Sequence, residues 1–173
     1  IYLMKYNKTR KAFFLDRDGV IIKDVGYLTK IKQLSFLKDT LKTLKLINKK
    51  NYLIIIITNQ SVVGRKLISN KKLHEIHSYL KMFLKKRDII ISDIYYCPHH
   101  PVHAKGKFKI KCLCRKPGNQ MIEKAIKKWK INRKQSFMIG DRLTDLKAAK
   151  KSKINFFYRS KNDFFKQVKG KIF

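Results

Sequence analysis

Two rhythms of apolar residues alternate along this chain. Short continuous runs occur at residues 11–15 (KAFFL), 52–57 (YLIIII), 88–96, 136–139 and 154–158, and they predict buried strands. Between them, apolar residues return every three or four positions. Residues 37–49 place Leu37, Leu41, Leu44 and Ile47 on one helical face. Residues 69–86 do the same with Leu73, Ile76, Leu80, Phe83 and Leu84, and residues 118–130 with Met121, Ile122, Ala125, Ile126 and Trp129. Residues 144–151 predict one more helix. This order predicts an α/β fold, a parallel sheet with helices on both faces. Ligands in such sheets bind beyond the carboxyl ends of the strands.

The length, 173 residues with 44% hydrophobic positions, is that of a single domain with a real core, and disorder is not expected. The strongest apolar run is six residues, far below the ~20 that span a bilayer. The amino-terminal stretch lacks the apolar segment and cleavage site of a signal peptide, so a cytoplasmic protein is expected. Charge complicates this picture. With 43 Lys and Arg against 11 Asp and Glu, the net charge is +32, which suits a polyanion such as nucleic acid. Yet the lysines are spread evenly, and the chain has 22 isoleucines against 5 alanines. Lys, Ile and Asn share A/T-rich codons, so drift in base composition accounts for the excess. A basic, zinc-containing nucleic-acid-binding protein is the alternative of another class; it needs a clustered basic face or a stacking platform, and neither is legible.

Polar chemistry gathers at three strand ends. In residues 13–20 (FFLDRDGV), Asp16 and Asp18 leave a strand at i and i+2, which sends two carboxylates to one side. A hard cation such as Mg²⁺ suits that pair. In residues 54–61 (IIIITNQS), Thr58 and Asn59 follow the strand with groups that suit phosphate oxygens. In residues 137–145 (FMIGDRLTD), Asp141 offers a third carboxylate to the same magnesium site. A fourth cluster has a different chemistry. All three cysteines fall in residues 97–114, as Cys97-x-His99 and Cys112-x-Cys114, the Cys₃His donor set of a tetrahedral structural zinc. His100 and His103 are weaker choices for the imidazole, and His74 and His77, on a predicted helix, read as surface or interface residues. Arg115 and Lys116 follow the last cysteine directly, so a zinc-clasped loop would fix both cations in place.

The order DxDGV, strand-terminal TN, Lys and GDxxxD resembles the haloacid-dehalogenase-like (HAD-like) phosphotransferase superfamily from about residue 13 to residue 158. The resemblance implies a Rossmann-like sheet. It implies Asp16 as nucleophile, Asp18 as acid and base, Thr58 and Lys116 on the phosphoryl oxygens, and Mg²⁺ on Asp16, the Asp18 carbonyl and Asp141. With residues 24–27 (DVGY), 95–101 (YYCPHHP) and 112–118 (CLCRKPG), the chain is similar to the D-glycero-D-manno-heptose-1,7-bisphosphate 7-phosphatases of ADP-heptose and lipopolysaccharide core synthesis. That resemblance implies a substrate lined by Asp24, Val25, Gly26, Tyr27, Asn59, Gln60 and Ser61, with Arg115 on its distal phosphate and Arg142 beside it. The expected partner is a small sugar bisphosphate met by a monomer, with no specific nucleic acid and no membrane. Histidinol-phosphate phosphatase, of histidine synthesis, shares the frame with a shorter zinc loop; the 12 residues between His99 and Cys112 favour the heptose enzyme. Val62 and Lys66 stand where the family carries glycine, and Arg142 where lysine is common, so the backbone at 62 and 66 decides whether the loop after TNQS is altered.

Overall fold

The computed structural model describes residues 9–173, and part of the amino-terminal stretch read above for a leader lies outside them. Five strands form one parallel sheet: β1 (Ala12–Leu15), β2 (Leu53–Asn59), β3 (Asp93–Cys97), β4 (Phe137–Gly140) and β5 (Asn155–Tyr158), in the order β3-β2-β1-β4-β5. Register is fixed at the centre, where Phe13 lies beside Ile54 on one side and Phe137 on the other. The strand alternation then divides the core. Phe13, Leu15, Ile54 and Ile56 face α1 (Thr40–Lys49), α3 (Asn70–Lys85) and α6 (Phe164–Ile172). Phe14, Ile55 and Ile57 face α4 (Gln120–Trp129) and α5 (Leu143–Lys151). Both faces are covered, which is why β1 and most of β2 read as unbroken apolar runs and not as alternating ones. Among the described residues no helix is long and apolar enough to cross a membrane.

Two boundaries differ by three residues or more from expectation, each for a backbone reason. The helix expected from residue 37 starts at Thr40, because Asp39 is left-handed at φ 64°. The strand expected from residue 88 starts at Asp93. Asp88 is left-handed at φ 58°, Ile89 N–H donates back to the Leu84 carbonyl, and Ile90 N–H to the Asn48 side chain. Ile89 and Ile91 are buried all the same, so this loop carries core residues without a ladder. The terminal helix α6 was not expected. Its Phe164 and Val168 are fully buried beneath α1, and Asp163 caps it by accepting from Lys166 N–H.

The chain runs outward from β1 in both directions along the sheet, to β2 and β3 on one side and to β4 and β5 on the other. The crevice at that switch point lies beyond the carboxyl ends of β1, β2 and β4.

Candidate active site

A cleft of about 810 Å³ occupies this crevice. Lys116, only 2% exposed, reaches into its floor. Its ammonium lies 2.9 Å from Asp16 and 2.6 Å from Asp145, and donates to the Ile57 carbonyl at 2.8 Å. Three acceptors thus surround the ammonium. Burial pulls the ammonium down in pKa, but Asp16 and Asp145 outweigh it and the value is raised. Burial pushes the Asp16 carboxyl up to about 6, against the opposing pull of Lys116. Asp141 is also raised, first by burial and then by the charge of Asp145.

Asp16, Asp141 and Asp145 bring carboxylate oxygens within 4.8 Å of one another. Gly19, at φ 79°, makes this approach possible, since a Cβ there would overlap the Asp141 carboxylate. The sequence reading missed Asp145. It is fully buried, and its Oδ2 accepts from Arg142 N–H at 3.0 Å, at the start of α5. Its Oδ1 meets only the Lys116 ammonium, with no donor aligned on it. The signal was present, a second acid four residues after Asp141 in a chain that has few. Three hard oxygen donors, one of them short of a partner, fit Mg²⁺.

Asp18 departs from expectation. Its carboxylate does not join Asp16, because the strand ends at Leu15 and the chain turns at once, with Ile21 N–H bonded to the Arg17 carbonyl. Alternation by two does not survive that turn. The carboxylate is held by Arg17, from Nε at 3.1 Å and Nη2 at 2.9 Å, and by Gln60 Nε2 at 2.8 Å. Arg17 was also missed, and it is buried to 1%. His77 was expected at the surface or an interface, but it is buried within the chain and meets Arg17 Nη1 at 3.0 Å through Nε2.

Of the remaining expected residues, all but Val25 line the cleft. Thr58, Ser61, Tyr27, Gly26 and Arg115 line the cleft. Asn59 and Gln60 line it too, but their side chains bond to protein. Asn59 accepts from Lys116 N–H at 3.0 Å and donates to its carbonyl at 3.1 Å, while Gln60 joins Thr58 to Asp18. Asp24 and Arg142 pair with each other across the rim at 2.6 Å. Val25 is 44% exposed and absent from the lining, because Asp24 Oδ1 accepts Gly26 N–H and the turn leaves residue 25 at its apex. Arg65 and His100 also line the cleft, unforeseen; burial and the nearby Arg115 charge hold the His100 imidazole below its ordinary pKa. Arg65 lies over the Tyr27 ring at 5.1 Å, with its buried Nε lacking a partner. The glycine positions also separate. Val62 is buried in the short helix α2 (Ser61–Gly64) and is not left-handed, so glycine is not required there; Lys66 is left-handed at φ 62° and occupies a true glycine position.

Beside the cleft, Cys97, His99, Cys112 and Cys114 place their ligand atoms within 4.8 Å of one another. Sulfur separations are 2.7 Å (Cys97–Cys114), 3.2 Å (Cys112–Cys114) and 3.5 Å (Cys97–Cys112), and His99 Nδ1 lies 3.3 Å from Cys114. Tetrahedral Zn–S bonds of ~2.3 Å set ligands about 3.8 Å apart, so a modest expansion would admit the ion. Burial, with Cys114 adjacent, raises the Cys97 thiol well above its usual range. A cation there would take the place of the thiol proton. Cys97 ends β3, and Arg115 Nη1 donates to the His99 carbonyl at 3.0 Å, so this cluster and the cleft share a wall.

The haloacid dehalogenase-like hydrolase family model matches residues 110–158. A D-glycero-beta-D-manno-heptose-1,7-bisphosphate 7-phosphatase of Haemophilus influenzae is 38% identical over 87% of this chain and 82% of its own length. The alpha-anomer counterpart of Photorhabdus laumondii is 40% identical over the same shares. The crystal structure of D,D-heptose 1,7-bisphosphate phosphatase from B. bronchiseptica, complexed with magnesium and phosphate, matches with a TM-score of 0.78 at 23% identity, covering 92% of this chain and 86% of that one. Sequence relatives at this identity and coverage establish that the chain belongs to the D-glycero-D-manno-heptose-1,7-bisphosphate 7-phosphatase family of HAD-like hydrolases.

Proposed function

We propose that this protein removes the 7-phosphate of D-glycero-D-manno-heptose 1,7-bisphosphate through a covalent intermediate on Asp16. The carrying observation is the convergence of Asp16, Asp141 and Asp145 at the switch point, with the Lys116 ammonium against Asp16 and Asp145. An Asp16 oxygen attacks phosphorus, the P–O7 bond breaks, and the leaving sugar oxygen takes a proton from Asp18. Water then attacks the aspartyl-phosphate and gives its proton to Asp18, which releases phosphate and restores the Asp16 carboxylate. Thr58 and Lys116 hold the equatorial oxygens. Asp16, Asp141 and the Asp18 backbone carbonyl would hold Mg²⁺, with Asp145 behind them; when bound, the ion neutralises charge on the transferring group.

Arg115, with Arg65 also lining the cleft, offers positive charge to the distal phosphate. Zinc on the four Cys and His ligands would hold the loop from which Arg115 and Lys116 project. The proposed role is in ADP-heptose synthesis for the lipopolysaccharide core.

The test is phosphate release with Mg²⁺ from both anomers of the heptose bisphosphate and from histidinol phosphate, by wild type and Asp16→Asn. Preference for a heptose anomer, lost in the variant, is expected. Preference for histidinol phosphate overturns the substrate assignment, and release undiminished in the variant overturns the nucleophile.

A further inference from the structure

One buried polar chain leads to Asp18 through residues that the steps above do not use. It begins on α3 at His77 and ends at Asp18 in the cleft. Arg17 links them. Nη1 meets His77 Nε2 at 3.0 Å, Nη2 donates to Gln60 Oε1 at 2.9 Å, and Nε and Nη2 grip the Asp18 carboxylate. A guanidinium only donates, so these contacts fix their partners. His77 must present a bare Nε2 and keep its proton on Nδ1. Gln60 must turn its carbonyl toward Arg17, which aims its amide at Asp18 Oδ2 (2.8 Å) and Thr58 Oγ1 (2.8 Å). Removal of the His77 acceptor frees the guanidinium, and both groups it orients lose their reference.

We propose that His77 and Arg17 are positioning residues which hold the Asp18 carboxylate in line with the leaving oxygen. This rests on the phosphatase reading of the cleft. His77 suits the task because it stays neutral, as burial and the adjacent Arg17 charge lower its imidazole to about 3. It also sits in a rigid place, mid-helix, with its ring edge-on to Tyr96 at 5.9 Å. An arginine buried this deeply would need partners for its donors in any case. A purely structural role, however, does not require that the far end of the chain be a carboxylate on the cleft wall.

The two roles separate by leaving group. Departure of a sugar alkoxide needs the Asp18 proton, whereas 4-nitrophenolate leaves without one. The experiment measures kcat/KM, which covers the steps through departure, for the heptose bisphosphate and for 4-nitrophenyl phosphate. Wild type, His77→Leu and His77→Gln are compared. For His77→Leu we expect a loss of at least about tenfold on the heptose ester and a much smaller loss on the aryl ester. His77→Gln, which restores an acceptor, should recover most of the difference. Equal losses on both esters in a folded protein, or no rescue by glutamine, overturn the inference alone. A wild type inert toward both esters overturns the phosphatase reading and the inference with it.

Discussion

The strand-end cleft and the cysteine loop both crowd groups that prefer to stay apart, and they resolve the crowding differently. In the cleft the chain supplies its own counter-ion, since Lys116 lies between Asp16 and Asp145 and is fixed from behind by the Ile57 carbonyl. The site is shaped before any ligand arrives. In the cysteine loop three thiols and an imidazole converge, and Arg115, next in sequence, spends Nη1 on the His99 carbonyl rather than on a sulfur. Under the zinc reading, that region is ordered by an ion from outside. One region is thus sensitive to side-chain replacement and the other to chelation, while Asn59, bonded twice to the Lys116 backbone, ties them together.

The sharpest way to break this contrast is at Asp16. Asp16→Asn keeps the shape and removes the nucleophile, so phosphate release should fall by about 10⁴-fold or more while the thermal midpoint holds. Activity that survives means the self-compensated floor is not the reacting centre. Next is Lys116→Met, which leaves two buried carboxylates uncompensated and should cost about 3–5 kcal/mol in urea unfolding. A stability within error of wild type would mean that Asp16 and Asp145 do not depend on Lys116. For the other region, a strong zinc chelator or Cys112→Ser should open residues 97–116 to limited proteolysis and lower kcat, while strands β1 and β2 keep their hydrogen-exchange protection. Loss of protection throughout would show that the loop is no separate region.

A smaller effect concerns acid. The folded pKa of His77 lies below that of the unfolded chain, so below pH 6.5 only the unfolded state takes up its proton. Stability is therefore lost as pH falls, by about 2 kcal/mol from this group between pH 7 and 5, and His77→Gln should remove that slope from the urea midpoint. The smallest effect is at the rim. Asp24→Asn breaks an exposed pair with Arg142 and should cost under about 1 kcal/mol, whatever it does to substrate binding.

The parts of this molecule that local chemistry dictates were readable from sequence. Continuous apolar strands, their polar ends and ligand spacing in residues 97–114 depend on neighbours in the chain, and the structure assembles them at one sheet edge. Tertiary contacts were not readable. His77 sits on a helix whose apolar stripe is legible, yet only Arg17, 60 residues earlier, explains its burial. Asn59 and Gln60 looked available to substrate because nothing local shows that Lys116 and Arg17 occupy their amides. Residues 88–92 are as apolar as a strand, and only the left-handed Asp88 shows that they are a loop. Asp145 was written in the GDRLTD segment, but its importance comes from a lysine 29 positions away.

The central claim, that Asp16 carries the transferring phosphoryl group, is tested most directly by acid quench. Protein turning over heptose bisphosphate labelled at the 7-phosphate should yield label on the peptide that contains Asp16, and Asp16→Asn should yield none. Label on another residue, or steady phosphate release with no label trapped at any time, would contradict it.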